Sequence, residues 1–232
     1  MGDVAATRST LQRVATHVLA RRRCEVTGRF GLRATPGGFG TPAFGDGHPE
    51  VVRVAGGLLV HEHDAGVSAV AIAGSTLAAL AAVVGVDLEA PLSVGHDTPP
   101  VGDPAEPLVL DVPVTVVLAD WLDLGWRALD QVTRSARGAA AVQLWPEHFD
   151  AGTSVQVGPA PDDRVNLGVS HGDQHHDEPY LYVGPWGPQR PGDAAFWNAP
   201  FGAVRSRSSI ASVADAVTFF DEGIARCLSG EP

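Results

Sequence analysis

An α+β fold with mainly antiparallel β-sheet is the class this sequence predicts. Short β-prone runs are joined by tight turns, helical periodicities interrupt them at intervals too irregular for βαβ units, and no period of roughly 20 to 50 residues recurs. With 232 residues, 44% of them hydrophobic and 19% charged, the chain can withdraw roughly 70% of its unfolded surface from water. That implies a single compact domain over 1–232, or two halves, 1–90 and 108–232, joined by a Pro-rich loop.

Each element follows from a local pattern. Leu11, Val14, Ala15, Val18 and Leu19 share one helical face, so the spacing predicts an amphipathic first helix over 9–22. Val26, Phe30 and Leu32 then alternate with Thr27, Arg29 and Arg33, the period of a half-buried strand. The segment TPGGFGTPAFGDGHPE reads as a loop, and VVRVA and GLLVHEH read as strands closed by a turn at Asp64-Ala65-Gly66. A returning strand over 67–73 leads to a helix over 75–84, with Ser75 as cap and Gly85 as stop. Pro91, Pro99, Pro100, Pro104 and Pro107 make 87–107 a long surface loop. Asp111 caps a long helix whose buried stripe is Val114, Val117, Leu118, Trp121, Leu122, Leu129 and Val132. Within it Gly125 costs about 1 kcal/mol relative to Ala, a cost consistent with a close helix crossing. Strands follow at AAAVQLW, GTSVQVG, RVNLGVS and PYLYVG, with Pro159–Asp163 turning the middle pair into a hairpin. A final helix over 212–228 buries Val213, Val217, Phe220, Ile224 and Leu228.

Charge and composition exclude several classes. The net charge is −11, from 27 acidic against 16 basic residues, and every basic residue is Arg. Such a surface repels phosphate backbones, and Arg21-Arg22-Arg23 sits where a helix end would use it, so no nucleic-acid partner is expected. The N-terminus lacks the apolar core and cleavage site of a signal peptide, and the apolar run 69–86 divides into a strand and a helix, so a cytoplasmic chain without membrane insertion is expected. Cys24 and Cys227 have neither zinc-knuckle nor redox-pair spacing.

Function-bearing residue types concentrate between Leu144 and Ala203, which holds three of the five Trp, both Tyr and four of the nine His. Together with GRFGLRATPGGFGTPAF, the segments LWPEHFD, RVNLGVSHGD and EPYLYVGPW resemble a family of uncharacterised proteins common in high-GC bacteria. The resemblance covers most of the chain and implies a shared fold and site, without an assigned reaction or catalytic residue. In that family Pro is expected where this chain has His171, as S-P-G-D, which keeps Asp173 inside the shared motif.

Candidate chemistry centres on LWPEHFD. Glu147, His148 and Asp150 bring an acid, a group titrating near neutrality and a carboxylate able to orient it within four residues. On a strand, His148 and Asp150 would share a face. If the loop 170–178 folds beside them, His148, Asp150 and Asp173 form a general-base site or a set of ligands for a divalent metal. The competing reading makes His148 a hydrogen-bonded structural histidine and Asp150 a turn former. Trp145, Tyr180, Tyr182, Trp186, Trp197 and Asn198, with Asp173, are the expected lining of a ligand pocket.

Other motifs lack their context. GVSHG matches the nucleophile elbow, but DQHHDEP is no helix and no His follows His176. GFGTPA lacks the helix that a dinucleotide fingerprint needs. His61 and His63 share a strand face but read as exposed hairpin residues. The expectation is a small-molecule-binding protein, enzymatic or not, with a His, carboxylate and aromatic pocket in the C-terminal half. A metal-dependent hydrolase or oxidoreductase and a non-catalytic structural or interaction protein are the alternatives.

Overall fold

The computed structural model describes residues 3–92, 94 and 98–228. They form an α+β fold with two five-stranded antiparallel sheets, divided between two compact units. The first unit runs to Asp120 and takes in Leu144–Phe149, and the second comprises Trp121–Gln143 and the chain from Asp150 onward. The expected Pro-rich loop lies partly outside the described residues, at 93 and 95–97.

In the first unit a continuous helix opens the chain as α1 (Val4–Val14), a π-helical segment (Ala15–Ala20) and α2 (Arg21–Thr27). Asp3 caps it by accepting from the Ala6 N–H at 2.9 Å, and Gly28, at φ 68°, ends it. Every residue from Val14 to Arg21 is buried, as expected of a helix surrounded by its own unit. The strand expected from Val26 onward is thus displaced by helix, and Val26 is exposed. The reason lies in the arginines: Arg21 and Arg23 find main-chain carbonyls as helical residues, Arg21 those of Asp87 and Ala90 and Arg23 that of Gly31.

The first sheet follows in sequence order as β1 (Arg33–Thr35), β2 (Gly38–Gly40), β3 (Val51–Ala55), β4 (Leu58–His63) and β5 (Gly66–Ala71). Strand β2 falls inside the segment read as a loop. Its glycines permit a close approach: a Cβ at Gly38 would stand 2.2 Å from the Val54 carbonyl oxygen, and one at Gly40 2.4 Å from the Arg53 Cβ. Helix α3 (Leu77–Val83) is capped by Thr76, not Ser75, through a 3.1 Å bond from the Ala79 N–H.

Helix α4 (Val112–Ser135) is capped by Asp111, which accepts from the Val114 N–H at 3.0 Å. The expected stripe is buried at Leu118, Trp121, Leu122, Leu129 and Val132, with Thr115 and Ala119 also turned inward, while Val117 remains 41% exposed. Thr115 can be buried because its hydroxyl donates to the Asp111 carbonyl at 3.0 Å.

The second sheet contains β6 (Gln143–Trp145), β7 (Asp150–Gln156), β8 (Arg164–Ser170), β9 (Tyr180–Pro185) and β10 (Ala203–Ser206), in the order β10-β9-β8-β7-β6. Alternation sends Val165, Leu167, Val169, Leu181 and Val183 to one face, all fully buried. Helices meet that face through glycine. A Cβ at Gly125 of α4 would lie 2.5 Å from the Val169 Cβ, and one at Gly223 of α5 (Val213–Leu228) 2.7 Å from Val183 Cγ1. Helix α5 therefore buries Ala216, Phe219, Phe220 and Gly223, whereas Leu228, expected inside, is exposed. The small side chains decide which face approaches the sheet.

Gly125→Ala should raise the intrinsic helix propensity of α4 yet destabilise the protein by about 1 to 3 kcal/mol, because the added methyl overlaps Val169. Urea denaturation measures the change, and a stabilised variant would refute the close crossing.

Candidate functional site

The face of the second sheet opposite its helices is polar, and strand register assembles it. Asp150, Ser170, Tyr180 and Ser206 occupy one row across β7, β8, β9 and β10, and Gly152, Gly168, Tyr182 and Val204 occupy the next. The glycines leave room for an aromatic ring to lie down across the strands. A Cβ at Gly168 would fall 2.2 Å from Tyr182 Cζ, and one at Gly152 3.0 Å from the Tyr182 hydroxyl. Lying this way, the Tyr182 phenol reaches Asp150 and donates to Oδ2 at 2.6 Å.

A second tyrosine–aspartate pair stands beside the first. The Tyr180 phenol donates to Asp173 Oδ2 at 2.6 Å, while Asp173 Oδ1 accepts from the main-chain N–H groups of His175 at 2.7 Å and His176 at 3.1 Å. Asp173 begins the bend after β8, so its carboxylate organises the loop and holds the phenol at once. Across the row, His176 Nε2 and Ser206 Oγ are 2.8 Å apart. Ring contacts link the group: His176 with Tyr180 at 5.3 Å, Tyr180 with Tyr182 at 6.2 Å, Tyr182 with Phe201 at 6.4 Å and Phe201 with His175 at 6.1 Å between centroids.

The electrostatics sort these groups by protonation state. Burial raises the Tyr180 phenol well above its ordinary value, and the Asp173 carboxylate raises it further. Tyr182 is raised by burial and then by Asp150. Burial works in the same direction on the Asp173 carboxyl, but the Tyr180 phenol and the two histidine N–H groups outweigh it and hold Asp173 below the usual carboxylate range. At neutral pH the row thus combines protonated phenols with an ionised carboxylate. These groups accept and orient hydrogen bonds, and the phenols are unsuited to act as bases.

The remaining sequence candidates take other roles. Trp145, Glu147 and His148 belong to the first unit, and the strand reading that put His148 and Asp150 on one face is corrected there. Residues 146–149 form a turn, because Pro146 has no N–H for a ladder and the Phe149 N–H closes back on the Trp145 carbonyl at 2.8 Å. The first helix clasps this turn: Thr16 donates to the Pro146 carbonyl at 2.9 Å and Gln12 to that of Glu147 at 2.6 Å. Glu147 is buried, His148 is exposed, Trp145 meets Phe30 at 6.1 Å, and Phe149 holds a left-handed φ of 54°.

In the second unit Trp186 lies at the far end of β9, 52% exposed, and donates to Asn166 at 2.7 Å. Trp197 donates to the Pro191 carbonyl at 2.9 Å. Asn198 accepts from the Val204 N–H at 2.8 Å and donates to its carbonyl at 3.3 Å, extending the edge of the sheet.

The other motifs occupy ordinary places in the fold, and two of them differ from expectation: GFGTPA, read as a loop, contributes strand β2, and His61, read as exposed, is buried. Ser170 of GVSHG is 4% exposed, accepts from the Gly172 N–H at 3.1 Å and is followed by a bend. Gly38 and Gly40 of GFGTPA lie in β2 with no helix after them. Among the described residues, no group of three or more His, Cys, Asp or Glu side chains is placed to hold a metal ion. Asp173, one of the three expected ligands, uses both oxygens on the hydrogen bonds above. His61, expected to be exposed, is buried at 2.6 Å from Glu50, which also takes three bonds from Arg22.

Sequence reasoning does not find Ser206, Phe201, Gly152 or Gly168. The polar alternation Arg164, Asn166, Gly168, Ser170 in β8 marks a face, but only the strand register supplies its neighbours. Comparison with family models, curated proteins and solved structures returns no match.

Both tyrosines of the chain lie in this site, so alkaline absorbance titration reads it alone. Folding raises both phenols above the unfolded value of about 10. Their contribution to stability is therefore complete below about pH 10 and is lost as the pH rises beyond it toward the folded values. We expect no tyrosinate step near pH 10 in folded protein, with ionisation arriving together with unfolding. A step of two phenols at about pH 10 in protein that remains folded refutes the paired geometry.

Proposed function

We propose that this protein binds a small organic molecule at the tyrosine–aspartate row of its second sheet. The observation that carries the reading is the Tyr182 phenol laid over Gly152 and Gly168 to meet Asp150, next to the Tyr180–Asp173 pair. Two neutral phenols and their carboxylates, flanked by Ser206 and the rings of His176 and Phe201, offer mainly hydrogen-bond acceptors and aromatic faces. Such a surface suits a ligand that presents hydroxyl or amine donors on a compact carbon frame.

The protonation states favour binding and orientation over proton abstraction at neutral pH. The reading places the protein in the cytoplasm, and its net charge of −11 argues against a nucleic-acid partner. Among the described residues no helix is long and apolar enough to cross a membrane. For LWPEHFD a structural role is favoured, because Gln12 and Thr16 grip its turn from the first helix.

Thermal-shift and ligand-detected NMR screens of polyols, amines and amino acids test the proposal, using wild type, Tyr182→Phe and Asp173→Asn. Tyr182→Phe should cost about 1 to 3 kcal/mol of stability through the lost phenol bond, so affinities are compared at a temperature where all three proteins are folded. Ligands that bind wild type and lose roughly tenfold or more in affinity in both variants support the site. Equal affinity in all three proteins, or no ligand across these classes, overturns it.

A further inference from the structure

One face of the first helix holds main-chain groups of the described residues between α3 and α4. Thr7 Oγ1 accepts from the Asp111 N–H at 3.1 Å, and Thr10 donates to the Val109 carbonyl at 2.7 Å. Arg13 donates to the carbonyls of Val101 at 2.8 Å and Asp103 at 3.2 Å. His17 stands 2.8 Å from the Pro99 carbonyl, and Arg21 donates to those of Asp87 at 2.9 Å and Ala90 at 2.6 Å. Positions 7, 10, 13, 17 and 21 follow one another at helical spacing.

Of these five side chains only His17 changes charge between about pH 5 and pH 8. It is 2% exposed and lies in the π-helical segment, a distortion found frequently at functional sites. A carbonyl oxygen can only accept, so Nε2 carries the proton and Nδ1 is bare. Nδ1 is buried with no hydrogen-bond partner among the described residues. Protonation would add a donor where none of the described residues supplies an acceptor.

The charges of the described residues around the ring do not offset this. Among the described residues, Arg13 and Arg21 on its own helix oppose a third positive charge, and the segment above brings the carbonyls of Pro99 and Pro100 to the ring. Helix α3, which packs against the π-helical segment, has the sequence LAALAAV and brings no titratable side chain. Burial is the largest influence and pushes the imidazole below its ordinary value, with the two guanidinium groups acting in the same direction.

We propose that His17 is an acid-sensitive latch that holds residues 98–103 on the first helix when neutral and releases them when protonated. The folded, latched form disfavours the proton, so the latch is intact above the ordinary histidine value of about 6.5. As the pH falls below it, the released form gains a proton and the open fraction rises by up to about tenfold per pH unit, until the latched form itself titrates.

Hydrogen exchange on the full chain at about pH 7.5 and about pH 5, corrected for intrinsic exchange rates, tests the latch in wild type and His17→Gln. Glutamine keeps a donor for Pro99 and cannot take a charge. We expect peptides covering 98–103 to open roughly tenfold or more on acidification in wild type and to stay unchanged in the variant, with β8 peptides as an internal reference. Equal responses in the two proteins overturn the proposal. If the variant fails to fold, NMR titration of the wild-type ring decides alone: a His17 pKa below the ordinary value supports the latch, and one at or above it refutes it.

Discussion

A proline-rich segment has fewer N–H donors than carbonyl acceptors, and in the first unit the first helix supplies donors for several of those carbonyls. Pro91, Pro99, Pro100, Pro104 and Pro107 bring carbonyls without N–H groups, and leaving such acceptors buried and unpaired costs about 1 to 3 kcal/mol each. The first helix answers with Thr10, Arg13, His17 and Arg21, while Gln12 and Thr16 do the same for the turn at 146–147. All of these donors are side chains of the first helix, which is fully buried from Val14 to Arg21. The usual division between apolar helix face and polar surface gives way because the polar groups serve as internal connectors.

The second unit solves a different problem by subtraction. Removing side chains at Gly125 and Gly223 lets two helices close on Val169 and Val183, and removing them at Gly152 and Gly168 lets Tyr182 lie across the opposite face. A single strand, β8, thereby serves the core with Val165, Leu167 and Val169 and the candidate site with Gly168 and Ser170. The rigidity of the site follows from that sharing. Tyr182 cannot shift without losing either its glycine bed or its bond to Asp150.

Arginine supports both units by different means. Arg22 pairs with the buried Glu50, which also contacts His61, and these hydrogen bonds outweigh the burial that would otherwise raise the Glu50 carboxyl. Arg205 instead lies 5.3 Å from the Phe196 ring and 5.1 Å from that of Phe219, and Arg226 stands 4.5 Å from Phe196, so cation–π contacts fasten α5 and the chain around Phe196. A planar, weakly hydrated guanidinium suits both settings, which an ammonium would not.

What the sequence alone determined is local. The α+β class, the β7–β8 hairpin, the Asp111 cap and the strand at RVNLGVS are legible because periodicity, capping and turn chemistry act over a few residues. Reading failed where partners distant in sequence decide: Val26 continues a helix, β2 forms from glycines, and Val117 and Leu228 face outward. Tyr180, Tyr182, Asp150 and Asp173 could be picked out by residue type, but their pairing on one face could not. Tertiary structure alone placed Tyr182 over Gly168, His17 beneath Pro99 and His148 in a turn of the other unit. Strand register and helix rotation are set by the fit of surfaces built from separated segments, and a one-residue change in either moves every side chain while leaving the local pattern intact.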